Sequence, residues 1–309
     1  MLKKITTIGL LSLLLLVLAM APASAHNGAI MAGDNITDAM VGDFTNYLLP
    51  VNATQSILVI HGHGFEYDFG DINESLDVTI VAPDGSKSVV KTQSVTENID
   101  KIHLGTKEPL TYQKFNYKFT QSGTYFLYTT LEEDGVTEYI KTAIFVGSGT
   151  WNDWNKNLGL PLEFTTYTRM PGIAEGEVMY GKLNYGNGSA ANDIRYYVEP
   201  VKSAAEAKAM YDMLVSDFPT GEDIYLIYSK RASTDGSGNF VSALPEKGVW
   251  SLVASAEVDG QSVKATYTFP VLPQIYGDAN TNTDKETPGF GVLLALVAIA
   301  GAVLLIRRK

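Results

Sequence analysis

The sequence predicts an all-β fold: two antiparallel sandwich domains in series, with one short helix in the second. Three observations predict it. Strand-length runs alternate apolar and polar residues, turn pairs interrupt them at short intervals, and a single stretch has helical spacing.

The first domain is expected over residues 26–147. Residues 76–81 alternate, turn through Pro83-Asp84-Gly85 and return over 88–91. Residues 124–130 run into Asp134-Gly135 and return over 139–146. Asp-Gly is a favoured tight-turn pair because both central positions need positive φ. Gly and Asn accumulate over residues 148–157 while strand signals pause, which marks a linker. The second domain is expected over 158–273. There residues 250–257, Asp259-Gly260 and residues 262–269 repeat the hairpin device. Half-buried antiparallel hairpins in series are the signature of Ig-like sandwiches. The helix is expected over 203–217: Ser203 and Glu206 fit a capping box, Ala204, Ala207, Met210, Leu214 and Val215 lie near helical spacing, and Pro219 ends it.

The ends predict export and anchoring. Lys3 and Lys4 precede an apolar run over 8–20, and Ala23-Ser24-Ala25 is a small-x-small cleavage site. Residues 1–25 therefore read as a secretory signal peptide whose removal leaves His26 first. Residues 274–287 are polar and lack apolar periodicity, as in a flexible stalk. Residues 288–309 form the tail: Pro288-Gly289-Phe290 opens it, an uninterrupted apolar stretch follows to Ile306, and Arg307, Arg308 and Lys309 close it. The apolar part is a hydrophobic helix close to the ~20 residues that span a bilayer. Its basic end stays cytoplasmic, which puts the bulk of the chain outside.

There is no cysteine, so stability rests on core burial and hydrogen bonds rather than disulfides. The net charge is −11, and the two ends hold only basic charges, so the segment between them is more acidic still. That argues against nucleic acid as a partner. Sequons at Asn35, Asn52, Asn73 and Asn187 are candidate glycosylation sites on surface loops.

Four histidines occur: His26, His61, His63 and His103. A strand over 56–63 puts the imidazoles of His61 and His63 on one face. Imidazoles suit nickel, cobalt, copper or zinc better than calcium or magnesium. A terminal His26 offers its amine and its imidazole to one ion, and Glu66 can add an oxygen ligand or hold an imidazole. The plainer reading is equally open: His61 and His63 as strand-end residues bonded to backbone. His103 stands alone in its segment and reads as structural. No Gly-x-Ser-x-Gly elbow, P-loop or His-Glu-x-x-His is present, and the expectation is a protein that is not an enzyme.

Two resemblances sharpen this. The order Pro-Gly-Phe, apolar segment, short basic end resembles the PGF C-terminal sorting signal of archaeal surface proteins. It implies removal of the tail by an archaeosortase-type enzyme and replacement by a membrane lipid. Between the ends, the phrases run in a second familiar order. They are Gly62-His63-Gly64-Phe65-Glu66, Val81 to Gly85, Gly123-Thr124-Tyr125, Lys141 to Gly147, Gly159 to Glu163, Thr234 to Phe240 and Gly248-Val249-Trp250. Together they resemble a family of exported β proteins first catalogued as a domain of unknown function. It is associated with nickel and cobalt uptake and found beside energy-coupling-factor-type transporters. The resemblance implies His26, His63 and Glu66 as metal-site residues and a membrane metal transporter as partner. A further histidine common in the family is replaced here by Tyr139. The function expected is a cell-surface accessory protein binding nickel or cobalt for a transporter, on the extracellular face of the membrane. The alternative is a structural or adhesive glycosylated surface protein, and a glycan-active enzyme ranks third.

Overall fold

The computed structural model describes residues 28–36, 48–61, 75–100, 107–133, 135–147, 156–166, 173–174, 178–201, 230–243 and 248–272. Strands make up nearly all of their secondary structure. The first half holds β1 (Ala29–Ala32), β2 (Leu48–Leu49), β3 (Ala53–Ile60), β4 (Asp77–Val81), β5 (Lys87–Lys91), β6 (Gln93–Asp100), β7 (Lys107–Phe119), β8 (Gly123–Glu133) and β9 (Val136–Val146). The second half holds β10 (Leu162–Thr166), β11 (Ile173–Ala174), β12 (Val178–Tyr185), β13 (Arg195–Pro200), β14 (Lys230–Ser233), β15 (Asn239–Ala243), β16 (Gly248–Val258) and β17 (Gln261–Leu272). The signal peptide, the stalk, the hydrophobic tail and the helix expected over 203–217 lie outside the described residues, as does most of the linker.

The hairpins form where the turn pairs stand. β4–β5, β8–β9 and β16–β17 are antiparallel pairs. At the last turn Asp259 has φ 52° and Gly260 φ 79°, the two positive values that a tight hairpin turn demands. At the first, Asp84 Oδ1 accepts the Ser86 N–H at 2.9 Å, which closes the turn.

The strands assemble into three sheets. One has the order β1-β3-β7-β6, one β10-β12-β15, and the largest β14-β13-β16-β17-β9-β8-β4-β5, with β11 on β17 and β2 on β9. The small sheets cover different stretches of the large one. Between the four-stranded sheet and the large sheet lie Ile30, Ile57, Val59, Tyr112, Phe119, Tyr125, Leu127, Ile140 and Ile144. Phe119 and Tyr125 meet edge to face at 4.9 Å between centroids. Between the three-stranded sheet and the large sheet lie Leu162, Phe164, Leu183, Phe240, Trp250, Leu252 and Phe269. Each core buries large aromatic and branched side chains, each contributing about 1.5–3 kcal/mol.

The sandwiches were expected in series, divided near residue 147. The large sheet instead runs across that boundary, because β17 pairs with β9 in parallel, with Ala265 opposite Tyr139 and Thr268 opposite Thr142. Every described strand falls within one compact unit, Met1–Gln274. The physical reason is edge satisfaction. Each long hairpin leaves a row of unpaired backbone groups on one side, and joining the rows removes both edges.

β9 is consequently buried on both faces over Ile140–Val146. On one face Lys141 is buried. Its ammonium pairs with the Glu163 carboxylate, donates to Phe164 O at 3.2 Å and lies 5.0 Å from the centre of the Phe126 ring. Glu163 also accepts N–H bonds from Leu158 at 2.8 Å and Gly159 at 3.1 Å. Burial pulls the Lys141 ammonium below its usual range, and Glu163 opposes that shift. Across the seam Tyr267 lies 5.9 Å from the same ammonium, and burial pushes its phenol up to about 12.

This packing makes four predictions. Lys141→Met leaves a buried carboxylate without its cation and should cost about 3–5 kcal/mol in urea unfolding. Glu163→Ala should cost more, because it strands the backbone N–H groups as well as Lys141. Tyr267 is raised, so its stabilisation is complete below the free tyrosine value near 10 and fades as pH rises towards about 12. Unfolding measured from pH 9 to 11.5 should show a shallower loss in Tyr267→Phe. Finally, Gly28 sits where an added Cβ would lie 1.9 Å from Ile140 Cδ1 in a filled core. Gly28→Ala in the mature protein should destabilise by about 1–3 kcal/mol through overpacking.

Candidate functional site

β1 is an edge strand of the four-stranded sheet, and all of it is buried. It pairs antiparallel with β3, Ala29 opposite Ile60 and Ala32 opposite Ile57. It also lies over the seam of the large sheet, where the Ile30 N–H donates to Thr268 Oγ1 at 3.3 Å. The next residue after β3 is His61. The strand expected over 56–63 therefore ends at Ile60, and His61 emerges beside Gly28.

His61 is buried, and its imidazole faces the large sheet. Its Nε2 stands 4.0 Å from Glu138 Oε2, an ion-pair distance rather than a hydrogen bond. Glu138 lies on β9. Its Oε1 accepts the Thr266 hydroxyl at 2.5 Å, and its Oε2 lies 3.5 Å from the Lys264 ammonium. Lys264 and Glu138 are register partners across the parallel seam. All four side chains are buried. Among the described residues Lys264 Nζ and Glu138 Oε2 have no hydrogen-bond partner, so the pair is held by charge and by the packing around it. An ideal Cβ on Gly28 would lie 3.3 Å from Glu138 Oε1, so the backbone just before β1 closes the cluster from above.

Of the expected metal-site residues, the structure positions His61. His26, His63 and Glu66 lie outside the described residues, as does His103. Among the described residues no group of three or more His, Cys, Asp or Glu side chains is arranged to hold an ion. Tyr139, which stands where the resembled family has a histidine, packs beside the second core, on the opposite face of β9 from Glu138. Asn35, Asn52 and Asn187 are exposed, as glycan acceptors must be, and Asn73 lies outside the described residues. Asn187 Oδ1 accepts the Ser189 N–H at 2.9 Å within a turn.

The sequence did not single out Glu138, Lys264 or Thr266. Alternation along 262–269 made Lys264, Thr266 and Thr268 look like the solvent side of a half-buried strand. They are buried because a second sheet lies over them. No spacing in the sequence announces a covered polar face.

No curated protein matches the chain. Solved structures similar to it include an alpha-2-macroglobulin from Escherichia coli, at 11% identity and TM-score 0.26 over 81% of this chain and 14% of that one. They also include the ectodomain of mouse nectin-like molecule 4, at 7% identity and TM-score 0.23 over 82% of this chain and 67% of that one. A third is a tetra-tandem repeat from a large adhesion protein, at 8% identity and TM-score 0.24 over 81% of this chain and 50% of that one. The chain thus spans a small part of the macroglobulin. The PGF-CTERM motif matches residues 287–309, a C-terminal signal for anchoring on the extracellular side of the cell surface that implies archaeosortase-type processing and a lipid anchor. The family model described as Domain of unknown function (DUF4198) matches residues 44–258, well over half of the sequence, and the chain belongs to that family.

Proposed function

We propose that this surface-anchored protein binds a transition-metal ion, nickel or cobalt, at the start of its mature chain and serves a membrane metal transporter. The observation that supports the reading is the place of His61, buried just past the end of β3 near the start of β1. Ala29 stands opposite Ile60, so the residue count puts Gly28 against His61. His26 and His63 lie outside the described residues and enter the proposal from the sequence. In this reading His26, His63 and His61 share one ion. Cleavage after Ala25 would add the His26 amine to the three imidazoles, and Glu66 would supply an oxygen or hold one ring.

The donor chemistry fits the ion. Nitrogen donors suit nickel and cobalt, whereas an oxygen-rich site would favour magnesium or calcium. Glu138 is not among the proposed ligands, because Lys264 already supplies its counter-charge at 3.5 Å. We further propose that the chain is not catalytic: it would hold the ion near the membrane and release it to the transporter.

The second reading is a structural or adhesive surface protein. It is favoured by the same Glu138–Lys264 pair, which can serve the fold alone, and by the exposed sequons.

Calorimetric titration of nickel and cobalt ions into mature protein that begins at His26 separates the two. The metal reading expects one ion per chain, with affinity falling at least about tenfold in His26→Ala, in His63→Ala and in protein carrying one extra residue before His26. Equal affinity in all four proteins, or no binding in any, would leave the structural reading.

A further inference from the structure

We propose that the open edge of β5 is an interaction surface that takes an extended acidic peptide segment as a further strand. The inference does not depend on the metal reading. β5 ends the large sheet, and among the described residues only β4 pairs with it. The register fixes where its backbone groups point. Just beyond the paired residues, the Ala82 N–H donates to Ser86 O and the Thr92 N–H donates to Leu76 O, both at 2.9 Å. Bonded pairs alternate along an antiparallel ladder. Ser88 and Val90 therefore bond to β4, and the N–H and C=O groups of Lys87, Val89 and Lys91 point away from it. Val90 packs against the first core, so alternation puts the side chains of Lys87, Val89 and Lys91 together on the other face. Val89 is 62% exposed there.

An open edge is a template for another strand. The chain closes such an edge at β15, the end of the three-stranded sheet. There the Leu183 N–H donates to Gly238 O at 2.9 Å, so Asn239 and Val241 turn their backbone groups outward. The Tyr196 hydroxyl donates to Val241 O at 2.8 Å and accepts the Val241 N–H at 3.1 Å. Asp235 Oδ1 accepts the Asn239 N–H at 2.9 Å, and the Asp235 N–H donates to Asn239 O at 3.0 Å. No described residue does the same for β5. Its hairpin is nevertheless held at both ends. At the turn Asp84 accepts the Ser86 N–H at 2.9 Å and the Gln121 amide at 3.0 Å. At the far end Thr92 Oγ1 accepts the Leu76 N–H at 2.8 Å and donates to Gln113 Oε1 at 3.0 Å. A strand already fixed in place loses little entropy when another pairs with it.

Charge selects the occupant. Lys87 and Lys91 flank Val89, and Lys156 Nζ stands by the turn, 3.7 Å from an ideal Cβ on Gly85. Asp77 lies 4.0 Å from Lys91, an exposed and therefore weak pair. A second copy fits poorly: antiparallel pairing centred on Val89 would set Lys87 of each copy against Lys91 of the other, and like charges directly opposite destabilise a sheet. A strand with an apolar residue between two carboxylates, each two positions away, matches Val89 and both lysines.

The test uses the mature, anchored protein in detergent and a capped fluorescent peptide, Glu-Thr-Val-Thr-Glu flanked by threonines. Anisotropy should show saturable binding, and carbodiimide coupling should join the peptide to Lys87 or Lys91. Val89→Pro removes one outward N–H at an edge position that tolerates proline. It should weaken binding about tenfold, the weight of one ladder hydrogen bond. Lys87→Glu with Lys91→Glu leaves the backbone intact and should reverse the preference between this peptide and its lysine-for-glutamate version. That variant keeps the test decisive where proline unfolds the hairpin. No saturable binding to wild type, equal binding in a folded Val89→Pro protein, or an unchanged preference in the charge variant would overturn the proposal. Self-association of wild type that Val89→Pro abolishes would also overturn it, in favour of a second copy.

Discussion

The parallel pairing of β9 with β17 is the constraint on which the rest of the molecule depends. It joins two hairpins that the turn chemistry builds separately, and it makes one sheet out of two sandwich halves. The two small sheets then have a common floor. Each core closes only because that floor continues beneath it. A register slip of one residue along this seam would exchange the faces of every side chain on one strand.

Charged groups flank the seam on both sides. On one face Glu138 meets Lys264, its register partner. On the other, Lys141 meets Glu163 and stands near the ring of Tyr267, its own register partner. Parallel strands made only of branched apolar residues would accept several registers at similar cost. Buried charges do not, because a slip strands each of them without its partner. The pairs contribute little net free energy compared with apolar packing of similar size, and they penalise the alternatives heavily. This accounts for lysines and glutamates in positions where cores normally hold valine or leucine.

The candidate site inherits its geometry from the same seam. β1 crosses it, with Ile30 bonded to Thr268 of β17, and the backbone just before β1 rests on Ile140 and Glu138 of β9. The chain from Gly28 onward is thus packed against the strands that unite the two halves. The Gly28 contact shows why that residue carries no side chain: even a methyl group would meet Ile140.

The sequence by itself determined the local order. Asp-Gly pairs, period-two alternation and the absence of cysteine were enough for an all-β chain with its main hairpins in the right places. The PGF tail was enough for its cell-surface location. Turn and strand signals are local, and they depend on neighbours within a few residues. Only the tertiary structure decided that β9 and β17 pair, that Lys264, Thr266 and Thr268 lie inside, and that His61 faces Glu138. Those facts depend on which open edges meet and which polar faces another sheet covers. A strand with one buried and one solvated face has the same alternation as a strand whose polar face is buried under a neighbour. The difference lies in contacts between residues far apart in the chain, such as Glu138 with Thr266 and Ile30 with Thr268, and no short pattern encodes them.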